Sequence, residues 1–227
     1  MLSEEQRGEA VRSLLESHRT KVQGRRPSEM FPDIQIEDSY AISSAVAEER
    51  VKAGAKIIGH KIGLTSKAMQ ASSKIDEPDY GYLFDDLILN DGAKVPFENF
   101  CVPRVEPELT FILKEPLKGP NVGLIDVLRA TEYVVPSIEI IDARVTEPRK
   151  IYDTVADNGA AAGIVLGGRP VRPEDVDLRW VGAIVSRNGE VEETGLGAGV
   201  LGDPVTGIVW LAHRMAGYGQ AIEPGQI

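Results

Sequence analysis

Apolar positions in the first quarter of the chain repeat every three to four residues. Ser3, followed three residues later by Gln6, forms a capping-box pattern, and the repeat after it predicts an amphipathic helix over residues 4–22. A second repeat predicts a helix over residues 37–53. We therefore expect residues 1–55 to form a helical N-terminal arm.

From Lys56 onward the pattern changes to short β-branched runs separated by glycine, proline and asparagine or aspartate. These runs predict strands at 57–64, 102–113, 134–142, 162–166 and 180–187. Asn188-Gly189 follows the last run and predicts a type I′ hairpin turn. Two further helices are predicted at 124–131 and 204–216. Strands and helices do not alternate regularly, so the expected fold class is α+β, with a mixed or antiparallel sheet behind the arm.

The composition excludes several classes of protein. The 227 residues are 42% hydrophobic and 26% charged, as in ordinary globular proteins. Twenty-five basic and 35 acidic residues give a net charge of -10, which disfavours nucleic acid and anionic membranes as partners. The single cysteine, Cys101, cannot form an internal disulfide, and no signal peptide or membrane-spanning run is evident. We therefore expect a cytoplasmic protein.

Three glutamates stand out against apolar surroundings. Glu106 and Glu108 lie two residues apart in RVEPELTF, and on a strand this spacing places both carboxylates on one face. Glu139 lies inside VVPSIEII, where an unpaired charge would be costly to bury. Three carboxylates without a Cys or His cluster suit a hard cation such as Mg²⁺ or Mn²⁺. Alternatively, the pair forms a solvated strand face, and Glu139 pairs with Arg104 or Arg144.

A second unusual segment is GHKIGLT. If it is a strand, Lys61 shares its face with Gly59 and Gly63, and strand glycines commonly mark the close approach of a ligand or another backbone. A lysine in such a niche, near carboxylates, can act as a general acid or base. The alternative is a surface lysine on a glycine-rich edge strand. His60 faces the other way and is predicted to be a packed core histidine.

Two further segments are less specific. EPDYGY is predicted to be a proline-containing turn that presents Asp79, although most such aspartates only cap a turn. The small residues of DNGAAAG, at 157–163, allow close approach of backbone to a ligand or tight packing between elements. No phosphate-binding glycine loop supports nucleotide use.

Eight motifs follow one another along nearly the whole chain: GHKIGLTSKAMQ, EPDYGYLFDD, RVEPEL, SIEIIDAR, VADNGAAAG, VLGGRP, DLRW and GAGVLGDP. In this order and spacing they resemble the 2-oxohept-3-ene-1,7-dioate hydratases of homoprotocatechuate breakdown. Those enzymes belong to the hydratase/decarboxylase branch of the fumarylacetoacetate hydrolase superfamily. The resemblance implies a mixed β-sheet core of the superfamily's C-terminal-domain type, a dicarboxylate substrate and a homo-oligomer.

The resemblance also assigns roles to residues already singled out. It implies that Glu106, Glu108 and Glu139 bind a divalent metal, for which the all-oxygen donors favour Mg²⁺ or Mn²⁺. It also implies that Lys61 and Asp79 are the catalytic acid/base pair, and that Lys61 and Asn158 bind substrate. We hypothesise that Asp79 activates water and Lys61 protonates; the reverse assignment is equally compatible with the sequence.

Several alternatives stay open at this point. Within the family they are a 2-oxo-3-hexenedioate (4-oxalocrotonate) decarboxylase and a 2-hydroxypentadienoate hydratase; in another class, a non-catalytic, metal-stabilised scaffold. The substrate's distal carboxylate has four candidate partners: Lys67, Lys74, Arg144 and Arg149.

The length is short for this family. The chain ends at EPGQI, where relatives continue through a Gly-Gly-Ser segment and further strands. We therefore expect residues 56–227 to be a β-rich catalytic core without its last strands.

Overall fold

A computed structural model describes the backbone of residues 1–227 and every side chain except that of Ser73. The helices are α1 (Glu4–Thr20), α2 (Pro27–Met30), α3 (Ile36–Lys52), α4 (Lys67–Ser73), α5 (Leu124–Ala130), α6 (Ile151–Ala156) and α7 (Pro204–Ala216). The strands are β1 (Ile57–Gly63), β2 (Asp79–Phe84), β3 (Ile88–Leu89), β4 (Pro103–Leu113), β5 (Thr131–Asp142), β6 (Ala161–Leu166), β7 (Gly182–Arg187) and β8 (Glu190–Leu196).

The long helices begin and end where local signals place them. Ser3 and Gln6 form the predicted capping box of α1, and Lys21 ends that helix in the left-handed conformation. Asp203 caps α7 through the amide of Val205, with Pro204 in the first turn. The ends of α1, α3 and α7 agree with the predicted ones to within two residues, because caps act through neighbouring residues only.

The N-terminal helices share a hydrophobic core with later parts of the chain. The buried cluster comprises Leu2, Ala10, Val11, Leu14, Ile34, Ile42, Val145 and Ala156. Val145 lies before α6, and Ala156 is the last residue of that helix. Helices α1 and α3 therefore pack against the segment between β5 and β6. The boundary at residue 55 stays a prediction.

A four-stranded mixed sheet, ordered β3-β6-β5-β4, forms the centre of the molecule. β3 and β6 are parallel, whereas β6, β5 and β4 are antiparallel neighbours. β1 pairs with β2, and β7 with β8 across the predicted Asn188-Gly189 turn, where both residues have positive φ. The α+β fold class is confirmed. Among the described residues, no helix combines the length and apolarity needed to cross a membrane.

The sequence predicts a turn at residues 77–82, and this prediction is wrong from Asp79 onward. Residues from Asp79 onward form β2, and every residue of this strand is buried. A strand covered on both faces lacks the polar alternation that makes a half-exposed strand recognisable. The sequence also did not predict the short helices α2, α4 and α6, whose four to seven residues carry little periodicity, although it predicted α5, which has seven residues.

His60 packs as the sequence predicts. Its ring lies against Tyr80 and Tyr82, with ring-centroid distances of 6.2 and 5.4 Å, on the face of β1 opposite Lys61. Nδ1 is buried and has no hydrogen-bond partner among the described residues. Burial lowers the pKa of His60 from its ordinary 6.5 to about 4.

The packing of His60 leads us to expect a specific acid sensitivity. Between about pH 6.5 and 4 the unfolded chain binds a proton at His60 that the folded chain does not, so stability falls as pH falls through this window. We expect the thermal midpoint of His60→Leu to decline less than that of the wild type between pH 7 and 5. The difference between the two curves isolates His60, because all carboxylates are common to both. Parallel curves would contradict the assignment.

Candidate active site

Three carboxylates converge at the middle of the β4–β5 pair. Glu106 lies directly opposite Glu139 in the antiparallel register, and Glu108 follows two residues later on the same face of β4. One carboxylate oxygen from each residue lies within 4.8 Å of the others. The side chain of Glu139 is 5% exposed, and β5 is an inner strand with β4 and β6 on its two sides.

The charge balance of this cluster is unfavourable without a further cation. Burial raises the pKa of Glu108 to about 8, and the Glu139 carboxylate adds to the rise. Burial also raises the pKa of Glu139 to about 7, although Lys61 opposes the shift. Like charges held this close favour uptake of a proton or a metal ion.

Lys61 extends from β1 into the cluster. Its Nζ lies 3.3 Å from Glu139 Oε2 and donates a hydrogen bond to the Gly159 carbonyl at 3.0 Å. Burial by itself would lower the pKa of Lys61, but the carboxylates of Glu139 and Asp79 outweigh it and hold that pKa above its usual range. The alternative of a surface lysine is wrong, because the side chain is 8% exposed.

The glycines beside Lys61 are sites of close approach, as predicted. A Cβ on Gly59 would lie 1.8 Å from the Ile227 carbonyl oxygen, because the backbone of Ile227 pairs with β1 there. A Cβ on Gly63 would lie 2.3 Å from Asp79 Oδ1 and 3.2 Å from Lys61 Nζ. The missing side chain of Gly63 therefore leaves the space in which Asp79 and Lys61 approach each other.

Asp79 reaches this space from the neighbouring strand. It is the first residue of β2 and the register partner of Gly63. The residue is buried, and Oδ1 has no hydrogen-bond partner among the described residues. A buried, unpartnered carboxylate oxygen is an acceptor available to a water molecule or a substrate hydroxyl.

Substituting Gly63 tests this arrangement. The methyl group of Gly63→Ala would displace the Asp79 carboxylate, and a misplacement of about 1 Å can cost roughly 10²-fold in turnover. We expect kcat to fall by about that factor while the fold is retained. Gly182→Ala is the matched control, because a Cβ there meets nothing within 4 Å. Equal activity of the two variants would contradict the placement of Asp79.

Asn158 lies at the edge of the same site, on a turn between α6 and β6. Its Oδ1 accepts a hydrogen bond from the Tyr82 amide at 2.7 Å, and its Nδ2 donates to the Tyr82 carbonyl at 2.9 Å. The side chain thereby ties this turn to β2. Substrate binding by Asn158 stays a prediction, whereas its contact with β2 is a function that the sequence did not indicate.

Two alternatives for Glu139 are wrong. Arg144 is buried and pairs with Asp157, and Arg104 is exposed, so the ionic partner of Glu139 is Lys61. Because Arg144 is buried and paired with Asp157, it is also no longer a candidate to bind the distal carboxylate of a substrate. Its pairing depends on a contact between two loops, and no local pattern could have predicted it.

The residues present fit a divalent cation. The donors are all carboxylate oxygens, which Mg²⁺, Ca²⁺ and Mn²⁺ prefer. Glu139 Oε1 is buried without a hydrogen-bond partner among the described residues, and a buried polar atom of this kind requires one. The cluster can therefore hold a divalent metal ion.

The fold and the site define an α+β protein with a carboxylate cluster at the middle of its central sheet and a buried lysine that extends into the cluster from a neighbouring strand pair. No protein-family model matches the chain. It is 52% identical over 204 residues to the 2-oxo-hept-4-ene-1,7-dioate hydratase of Escherichia coli, covering 87% of this chain and 76% of the relative. It is 46% identical over 191 residues to the 2-hydroxypent-2,4-dienoate hydratase of Pseudomonas putida, covering 83% and 86%.

A solved structure agrees with these relatives. The 4-oxalocrotonate decarboxylase from Pseudomonas putida G7, complexed with magnesium and adipate, has a TM-score of 0.95 and 33% identity, covering 100% of this chain and 86% of that one. The chain belongs to the hydratase/decarboxylase branch of the fumarylacetoacetate hydrolase superfamily. The resemblance drawn from its motifs is confirmed.

Proposed function

We propose that the protein is a divalent-metal-dependent hydro-lyase that adds water to a seven-carbon 2-oxo-enedioate and forms 4-hydroxy-2-oxoheptane-1,7-dioate. The observation that carries the choice of substrate is the 52% identity to the Escherichia coli hydratase. The relative's name places the double bond at C4, whereas the motifs suggested C3. Both isomers are reached from one 2-hydroxy-2,4-diene by moving a proton, so the proposal covers both.

Glu106, Glu108 and Glu139 would hold the metal ion, and we propose Mg²⁺ because the donors are all hard oxygens. When bound, such an ion supplies Lewis-acid stabilisation of negative charge on the substrate's C1 carboxylate and C2 oxygen. The three glutamates would hold the ion beside Lys61, because Lys61 Nζ lies 3.3 Å from Glu139.

Lys61 and Asp79 are the proposed acid/base pair. The ammonium group of Lys61 has three N–H donors, and one of them forms the hydrogen bond to the Gly159 carbonyl. The group can therefore still deliver a proton to a substrate carbon. Asp79 Oδ1 is an unpartnered acceptor and can take a proton from water. Ketonisation of the dienol places a proton on C5, and water then bonds to C4 while a proton adds to C3. The net change is the addition of one water molecule.

The candidates for the distal carboxylate are reduced to two. Arg144 pairs with Asp157 and Arg149 with Glu147, so both cations are already engaged with carboxylates. Lys67 contacts only the neutral Gln70 among its described hydrogen-bond partners, and Lys74 is exposed at the end of α4. We propose that Lys67, the first residue of α4, or Lys74, directly after its last residue, binds the distal carboxylate.

The catalytic core is proposed to lie within residues 56–227, because all five proposed metal and acid/base residues belong to that part of the chain. We further propose that the enzyme serves the breakdown of aromatic compounds, in the homoprotocatechuate pathway, as a cytoplasmic homo-oligomer. The resemblance supports this assignment.

An ultraviolet assay of dienoate loss tests the substrate. The purified protein with Mg²⁺ is offered three dienoates: the seven-carbon dicarboxylate, the six-carbon 4-oxalocrotonate form and 2-hydroxypentadienoate. We expect the highest kcat/KM with the seven-carbon compound and no CO₂ release. The TM-score of 0.95 to a decarboxylase makes decarboxylation the second candidate, and CO₂ release from the six-carbon compound would favour it. Metal-induced stabilisation without turnover of any compound would favour a non-catalytic scaffold.

A further inference from the structure

The turn from Asn158 to Ala160 has an unusual backbone. Its three residues have φ angles of 56°, 59° and 60°, so all three adopt the left-handed conformation. Left-handed residues occur mostly singly, and alanine is disfavoured there because of its Cβ. Such a turn persists only where contacts from outside hold it in place.

This turn supports both members of the proposed acid/base pair. The Gly159 carbonyl accepts the hydrogen bond from Lys61 Nζ, and a Cβ on Gly159 would lie 2.9 Å from Lys61 Cδ. The Asn158 side chain holds the backbone of Tyr82 on β2, the strand that begins with Asp79. The turn therefore contacts Lys61 directly and contacts the strand that carries Asp79 through Tyr82.

Arg144 contacts the turn at both of its ends. Its Nη2 donates to the Asp157 carbonyl at 2.8 Å, and its Nη1 donates to the Ala161 carbonyl at 3.0 Å. Its Nε donates to the Asp157 carboxylate, which also accepts the Arg144 backbone amide at 2.7 Å. One buried, planar guanidinium thus joins the residue before the turn to the residue after it.

We propose that Arg144 is a positioning residue that holds the left-handed turn so that the Gly159 carbonyl orients Lys61. This inference rests on the proposed catalytic function of Lys61. Arg144 lies in the SIEIIDAR motif, five residues after Glu139, so β5 and the segment after it supply both a proposed metal ligand and the support of the lysine. Lysine at position 144 would keep the charge but cannot reach the two carbonyls and the carboxylate together.

The experiment compares wild type, Arg144→Lys and Ala160→Val with saturating Mg²⁺. Valine at position 160 strains the turn without removing Arg144, because β-branched residues strongly disfavour positive φ. We expect each variant to lower kcat at least tenfold and to change KM less than threefold. We also expect faster hydrogen exchange of the Ala160 amide, which donates to the Asp157 carbonyl at 2.9 Å.

A matched control separates positioning from general destabilisation. Val127→Ala removes volume from a fully buried site on α5, outside the turn and the sheet strands that hold the carboxylates. It should lower the thermal midpoint and leave kcat unchanged. If the wild type turns over dienoate and either variant folds with kcat within twofold of it, the positioning role is wrong. If the wild type itself is inactive, the proposed function fails. Unchanged exchange of the Ala160 amide in Arg144→Lys would then also show that Arg144 does not hold the turn.

Discussion

Lys61→Met is expected to lower kcat by about 10²–10⁴-fold, the usual contribution of a positioned general acid or base. Methionine approximates the apolar stem of the lysine side chain but removes the ammonium group, whose Nζ lies 3.3 Å from Glu139 and 3.0 Å from the Gly159 carbonyl. The measurement is dienoate loss under saturating Mg²⁺, with substrate concentration varied so that kcat and KM are separated.

Two comparisons make this result specific. Lys56→Met changes an exposed lysine of the same type just before β1 and should leave kcat unchanged. Titration calorimetry of Lys61→Met with Mg²⁺ should show no loss of affinity, because the variant keeps all three glutamates and loses only a neighbouring positive charge. Turnover of Lys61→Met equal to that of the wild type would disprove the catalytic role.

Mg²⁺ is expected to stabilise the wild type against heat and to stabilise Glu108→Gln far less. A ligand at about 100 times its Kd adds roughly 2.7 kcal/mol to the free energy of unfolding. For a chain of this size, that corresponds to a rise in Tm of about 5–10 °C. Replacing one of three clustered carboxylates by an amide removes a charge and weakens the site.

The control for this prediction is Glu132→Gln, an exposed glutamate on the same strand as Glu139. It should show the full Mg²⁺-dependent rise in Tm. Burial raises the pKa of Glu108 to about 8, so Mg²⁺ has to displace a proton near neutral pH, and its affinity should increase from pH 6 to pH 8. A Tm that does not respond to Mg²⁺ at pH 8 would rule out the proposed metal site.

Local patterns predicted most of the secondary structure well. Helix α7 begins and ends at the predicted residues, and the two-residue turn after β7 has the expected positive φ angles. These features depend on caps and turn residues, which act over a few positions. The predictions failed at β2, which is buried on both faces, and at short helices such as α4 and α6.

Part of the candidate site was likewise predictable from local sequence, and part depended on how the strands pair. The spacing of Glu106 and Glu108 was enough to place two carboxylates on one face, because side chains alternate along any strand. Local sequence also singled out Glu139, Lys61 and Asp79, and the family resemblance then gave each of them a role. The register that sets Glu139 opposite Glu106, and the pairing of Gly63 with Asp79, could not be read from one strand alone.

By itself, the sequence determined the α+β class, the family, the hard-oxygen character of the carboxylate cluster and the importance of the glycines around Lys61. Tertiary structure alone decided that Lys61, and no arginine, faces Glu139, and that Arg144 instead binds both ends of the turn at Asn158–Ala160. The physical reason is that residue type and spacing govern chemistry and local geometry. The partner of a buried charge is determined by which distant segments pack together.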